Sequence, residues 1–431
     1  MAKKLIILFT ISVLIILPTT TFIGVGRTFS LKNSFIEDRY DFKICSINAS
    51  NPYDYGFKMG KILNTFYRFL NNFVFTSERT KINESHIKDQ IKDIEKYCPF
   101  FLEELKGLSA STHIKLENLI ILQNKLSSLS DDQCTATLAT GKATKNNETF
   151  LTFNIDAHAD NLGATIHSIL IGRSFSEKLW VVRINTMRYR YVFLGIPIIK
   201  ELPLLNEKGL GWGCPGTHFN QSENLVDTGP GIGTIILDRM AMMTCKNVSE
   251  VADLFKNSDR GLQRGEGWQH QFDGATSCFC DSEGGILVIE MTHNYIATVF
   301  GNSTDITGAP EGILWHANHH QWLDPNLTGS LYPNEIPSSG FRAERARELL
   351  EQYYGNITLD ICKKITRDYG GGYDKNKRDS GDICRIPDKN EKRMTDYAWI
   401  IVPKELAVYI THTNPYRGIF WKHDFSKLFA S

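Results

Sequence analysis

The chain has 431 residues, 42% of them hydrophobic and 11% aromatic, enough to bury a large core in one large domain or two ordinary ones. Lys plus Arg and Asp plus Glu both number 48, so the formal charge is zero and no basic excess points to nucleic acid or an anionic surface as partner. Neither a periodic repeat nor a long low-complexity segment interrupts the sequence.

Lys3 and Lys4 precede a run over 5–17 made almost wholly of Leu, Ile, Val and Phe, the charged start and apolar stretch of a secretory signal. Residues 1–24 are therefore expected to be a signal peptide, or a signal anchor, because Pro18 and three threonines break the run and no A-x-A-like site follows. Sequons at Asn48, Asn83, Asn147, Asn220, Asn247, Asn302, Asn326 and Asn356 agree with export and a glycosylated surface. The expected location is secreted or otherwise extracytoplasmic, with a lysosome-like compartment or a membrane anchor as variants.

Apolar residues at helical spacing predict helices over 51–72, 85–97, 99–109 and 116–126. From 149 onward the pattern changes to short β-rich runs at 149–155, 166–171, 179–184, 286–291, 397–402 and 406–411. Helices are predicted among them at 231–243, 249–255, 343–354 and 359–367. Strands interleaved with helices, in hairpins rather than regular βαβ units, imply an α+β or layered αββα architecture.

The stretch Asp131-Asp132-Gln133-Cys134-Thr135 sits at the boundary between these two regions. Nine cysteines are present, at 45, 98, 134, 214, 245, 278, 280, 362 and 384, and an odd number leaves one thiol unmatched in an oxidising compartment. If Cys134 is that thiol, the other eight can pair, with no connectivity legible. No CxxC motif indicates a zinc ribbon or a redox site. A nucleophilic thiol needs a base, yet only acids flank Cys134, and the aromatic residue that follows a papain-like nucleophile is replaced by Thr135. One base needs no neighbour: the cysteine's own α-amino group, whose pKa of about 7.7–8.0 suits work near neutrality once the Gln133–Cys134 bond is broken. The plainer alternative is a buried or disulfide-bonded cysteine at a strand start.

Before Cys134-Thr135 stand Pro52-Tyr53-Asp54-Tyr55-Gly56-Phe57-Lys58-Met59-Gly60, Glu103-Glu104-Leu105-Lys106-Gly107-Leu108, and Leu116-Glu117-Asn118-Leu119 leading to Asn124. After it come Asn154-Ile155-Asp156, Asn206-Glu207-Lys208-Gly209-Leu210, His316-Ala317-Asn318-His319, Phe341-Arg342-Ala343-Glu344-Arg345 and Ile383-Cys384-Arg385. In this order the segments resemble the acyl-CoA:isopenicillin-N acyltransferase-like family of self-processing N-terminal nucleophile hydrolases.

The resemblance implies a four-layer αββα sandwich, a helical α chain over 25–133 and a β chain over 134–431, both from one precursor. It implies that Cys134 cuts its own amino side, with Gln133, Cys134 and Thr135 at the processing site, and then forms an acyl-thioester with a small-molecule amide or acyl donor. By the same resemblance Asp156 orients the α-amino group, Asn318 donates to the oxyanion and Arg385 positions the nucleophile or a substrate carboxylate. Asn154, Arg342 and His316 are weaker substrate-binding candidates, since an arginine on a helix, such as Arg342 or Arg345, is more often solvated surface. No cofactor and no metal are implied.

Two departures stand out. Gln133 replaces the family's glycine, and its β-carbon restricts a strained scissile backbone. Ile155 replaces a tryptophan and changes the substrate wall. A rival reading gathers His316, His319 and His320 with His158 and Asp160 as a metal cluster, but H-x-x-H-H lacks the glutamate of a hydrolytic H-E-x-x-H helix. The expected activity is that of a cysteine amidase or N-acyltransferase on linear C–N amides, a lipid amide or N-acyl amino acid included. The alternative is a glycosylated, catalytically silent binding protein of the same fold, unable to mature past Gln133.

Overall fold

The computed structural model describes residues 36–39, 42–77, 84–128, 133–158, 178–220, 222–262, 275–369, 381–386, 393–411 and 413–430. The signal segment, Asp131, Asp132, Asp160 and the predicted strand 166–171 lie outside them. No helix among the described residues is long and apolar enough to cross a membrane.

Among the described residues, five helices precede Cys134: α1 (Pro52–Ile62), α2 (Asn64–Ser77), α3 (Glu84–Tyr97), α4 (Pro99–Thr112) and α5 (Leu116–Ser128). The single helix predicted over 51–72 is thus two, separated by a turn at Leu63 with φ −113°. Asn51 caps α1 by accepting from the Asp54 N–H, and Pro52 supplies a φ already suited to a first turn. Two further helices, α6 (Thr234–Thr244) and α7 (Val248–Asn257), join this layer, while α8 (Pro337–Gln352) and α9 (Leu359–Thr366) lie apart from it.

Fifteen strands among the described residues form two sheets. The larger runs in the order β1 (Ile36–Arg39), β2 (Phe42–Ala49), β5 (Lys178–Ile184), β6 (Tyr191–Ile196), β7 (Lys200–Asn206), β8 (Gly211–Gly213), β9 (Thr276–Cys280), β10 (Ile286–Met291), β11 (Ile296–Phe300). The smaller runs β12 (Ile313–His316), β3 (Gln133–Ala139), β4 (Phe150–His158), β13 (Arg393–Val402), β14 (Ala407–Ile410), β15 (Trp421–Asp424). The β2–β5 pair is parallel; all others are antiparallel. The sheets face each other through β4, β13 and β14 against β7, β8 and β9. Helices α1, α5, α6 and α7 cover the outside of the larger sheet, and α8 and α9 the outside of the smaller. The fold is therefore the expected α+β, four-layer αββα sandwich.

Gly213 shows how closely the sheets approach: a Cβ there would lie 3.0 Å from Phe153 and 3.2 Å from Leu151 on β4. Leu151, Phe153 and Ile155 thus share the face of β4 turned towards the larger sheet, and Asn154 and Asp156 alternate onto the helix-covered face.

The first helices are tied to the larger sheet by a buried polar group. Arg239 of α6 donates to both carboxylate oxygens of Glu104 on α4 at 3.0 and 2.9 Å and lies 2.8 Å from Glu201 of β7. Tyr55 and Tyr191 donate to the same Glu201 at 2.8 and 2.5 Å. Burial and the Glu201 charge push the Glu104 carboxyl up against the pull of Arg239.

The expected disulfides are not formed: all nine cysteines are thiols. Most are buried singly in the packing of separate elements, where a thiol behaves as a small apolar side chain. Cys278 and Cys280 lie two apart on β9, fully buried opposite Gly213 and Gly211.

Candidate active site

Gln133 and Cys134 are the first two residues of β3, a strand of mixed composition, QCTATLA, whose every residue is buried. In the register with β4, Gln133 lies opposite Asp156, Cys134 opposite Ile155 and Thr135 opposite Asn154. Partners directly opposite share a face, so the Cys134 side chain turns into the space between the sheets, while Gln133 and Thr135 face the α8 layer. Cys134 is 6% exposed.

Arg342 organises the back of this site. It is fully buried, and its Nη1 donates to the Cys134 carbonyl and, at 2.8 Å, to Thr135 Oγ1. Its Nη2 donates to Asn318 Oδ1 at 2.7 Å and to Gln133 Oε1 at 3.3 Å. The expectation of a solvated helix arginine is corrected here: Ser338, Ser339, Arg342, Ala343, Ala346, Leu349 and Leu350 form the buried stripe of α8 against β3 and β12. The signal in the sequence was the Ser338-to-Arg342 spacing of four, which puts both on one helix face. Arg345 lies off that stripe and pairs with Asp368 at 2.9 Å.

Asn318, just beyond β12, accepts from the Cys134 backbone N–H at 2.9 Å and donates through Nδ2 to the Gly216 carbonyl at 2.8 Å. Its own N–H donates to Ser339 Oγ, which His319 Nδ1 also contacts at 2.7 Å. Asp156 is fully buried, accepts from Thr395 Oγ1 at 2.6 Å and lies 3.3 Å from Arg385 Nε. Arg385 also donates to Ser338 Oγ, and Ser338 donates to Gln133 Oε1 at 3.0 Å. The Arg385 backbone is pinned by Thr395 and Asn414. Gln133, Cys134, Thr135, Asp156, Asn318, Arg342 and Arg385 thus form one connected network; Ser338, Ser339, Thr395 and Asn414, which sequence reasoning did not single out, complete it.

Two candidates sit outside that network. Asn154 donates to the carbonyls of Thr366 and Ile383, both at 3.0 Å, and so anchors the segment that carries Arg385. His316 bonds Glu290 through Nε2 at 2.8 Å and the Ala317 carbonyl through Nδ1, within the buried core. Both are engaged in packing contacts rather than lining an open cleft. Glu290 also accepts from the Gln321, Trp322 and Leu323 N–H groups. Burial alone would raise its carboxyl, but the His316 hydrogen bond, the nearby histidines and the backbone donors hold it down at about 2. Burial, followed by the neighbouring His316, lowers His319 to about 3, and burial lowers His320 to about 4. Of the rival metal set, Asp160 and the His158 side chain lie outside the described residues, and no group of three or more metal-binding side chains stands among the described ones.

Cys214, immediately after β8, lies within electrostatic reach of Cys134. Burial pushes its thiol well up, with the charges of Asp238 and Cys134 adding to the effect.

The family described as acyl-coenzyme A:6-aminopenicillanic acid acyl-transferase matches residues 204–384. It is an acyltransferase family of the kind the motifs resemble, matched over that segment alone. The matched span contains Asn318 and Arg342; Cys134 and Asp156 precede it. Among solved structures, penicillin V acylase from Agrobacterium tumefaciens is similar at 11% identity and a TM-score of 0.40, over 68% of this chain and 87% of that one. The C2A mutant of conjugated bile acid hydrolase from Clostridium perfringens is similar at 15% identity and a TM-score of 0.38, over 68% and 93%. No curated protein matches the chain.

Proposed function

We propose that the chain is an exported, self-processing cysteine amidohydrolase or N-acyltransferase of the N-terminal nucleophile type. The observation that carries this reading is that Arg342 and Asn318 contact the first two residues of β3, Asp156 stands opposite Gln133, and Arg385 is linked to them through Asp156 and Ser338. The Arg342 fork holds the Cys134 carbonyl, the Thr135 hydroxyl and the Gln133 side chain, while Asn318 Oδ1 accepts from the Cys134 N–H of the Gln133–Cys134 peptide bond.

In the proposed first step, Cys134 Sγ attacks the Gln133 carbonyl carbon, the C–N bond breaks, and the thiol proton passes to the departing amine of Cys134. Water then opens the thioester, leaving a carboxylate on Gln133 and restoring the thiol. The new α-amino group inherits the Asn318 Oδ1 contact and has Asp156 beside the place Gln133 vacates. It serves as the base when Sγ attacks a substrate amide. Asn318 Nδ2, held by Gly216, reaches an oxyanion only if the substrate oxygen displaces that carbonyl. Release of the acyl group to water gives an acid; release to an amine gives acyl transfer.

Export rests on the N-terminal segment and on the sequons, of which Asn48, Asn147, Asn302, Asn326 and Asn356 are exposed. One observation favours the silent alternative: Gln133 is 3% exposed and held by both Ser338 and Arg342, which resists its departure.

Denaturing electrophoresis with N-terminal sequencing of the expressed protein separates the two readings. Two chains, the second beginning at Cys134 and absent from Cys134→Ala, are expected. A single chain whose Cys134 also resists a thiol alkylator would end the enzyme reading.

A further inference from the structure

A cavity of about 100 Å³ lies between the helices that precede Cys134 and the segment entering α6. Residues of α3, α4 and α5 form one wall, and Ile199 with the 231–236 segment forms the other; none of the network around Cys134 lines it. The walls are mostly apolar, with Ile94, Phe101, Ile120 and Ile236 prominent. The volume is somewhat below the ~150 Å³ of an apolar cavity that accepts benzene, so it has room for the end of a short aliphatic chain.

One lining group does not fit a dry apolar void. Gln90 is 2% exposed; its Oε1 accepts from Asn124 Nδ2 at 3.1 Å, and its Nε2 is buried with no hydrogen-bond partner. A buried amide donor left unmade is costly, and a ligand acceptor in the cavity would satisfy it. Lys200 and Asp93 also line the cavity, so its two formal charges cancel and a net anion gains little there.

We propose that this cavity binds a short aliphatic chain capped by an uncharged carbonyl, of the primary carboxamide class. The chain lies against the isoleucine walls, and the carbonyl oxygen accepts from Gln90 Nε2. The site stands apart from the Cys134 chemistry and does not depend on it.

Isothermal titration of hexanamide into the full chain carrying Cys134→Ala tests it without turnover or cutting. Saturable one-to-one binding is expected, weakened about tenfold by Gln90→Leu, which removes one hydrogen bond. Ile120→Trp, which fills the cavity, should abolish binding; Ile236→Phe, on the opposite wall, does the same job should Ile120→Trp fail to fold. Hexanoate should bind more weakly than hexanamide. Absence of binding, equal affinity in the folded cavity-filling variants, or hexanoate binding as tightly as the amide would overturn the proposal. Because the active-site thiol is absent throughout, these outcomes are independent of whether Cys134 is a nucleophile.

Discussion

Arg342 makes five hydrogen bonds in the site that only a planar, forked donor can make together: to Cys134, Thr135, Asn318, Gln133 and Ser338. Arg342→Lys keeps the charge but loses the fork. Under the proposed function it should slow appearance of the 134–431 fragment by on the order of 10- to 100-fold; an unchanged rate in a pulse-chase gel would remove the arginine from the processing step. Asp238, fully buried on α6 near Ser277 and Trp212, is a different kind of residue. Burial pushes its carboxyl up to about 8, and those two side chains offset this only in part. A raised carboxyl stabilises the fold below the unfolded value, near 4, and that contribution is lost as pH rises through about 8, at ~1.4 kcal/mol per unit. In the uncut Cys134→Ala background, Asp238→Asn should therefore gain a few kcal/mol relative to its parent between pH 5 and pH 8. Parallel denaturation curves at the two pH values would contradict this.

At the scale of elements, α1 and α4 pack through glycines on both sides. A Cβ on Gly56 would stand 1.9 Å from the Glu104 carbonyl oxygen, and one on Gly107 would stand 2.0 Å from that of Tyr53. Both obstacles are backbone, so no rotamer change relieves them. Gly56→Ala should cost about 1–3 kcal/mol or more, read as a lowered Tm, because the two helices must move apart. The same contact explains why the motif Tyr55-Gly56-x-x-x-Gly60 was legible as a unit. The break at Leu63 was not, since the apolar spacing continues across it. Strands were harder to read than helices. β3 mixes Gln, Cys and Thr, and β7 carries Lys200, Glu201 and Pro203, so neither shows an alternating or wholly apolar pattern. Their burial comes from packing on both faces, a property of the sandwich and not of the segment.

Across the whole molecule, the buried group of Glu104, Arg239 and Glu201 joins segments on either side of Cys134. Arg239→Met would leave two carboxylates facing one another without a cation, a loss expected at about 3–5 kcal/mol. If the chain is cut as proposed, size-exclusion chromatography of the wild type should show both pieces in one peak, and Arg239→Met should make that peak dissociate at lower denaturant. Separation of the wild-type pieces without denaturant would contradict this role.

The ordered motifs were enough to give the layered α+β class and to single out Cys134, Asp156, Asn318 and Arg385, which the structure joins in one network, and residues 204–384 match the acyltransferase family those motifs resemble. They share a short local context that a linear pattern can carry. Only the tertiary structure decided that Arg342 faces inward, that Asn154 and His316 make their contacts elsewhere, and that the other cysteines are free thiols, most of them buried. Side-chain direction on a helix, and the distance between cysteines far apart in the chain, depend on which layer packs against which.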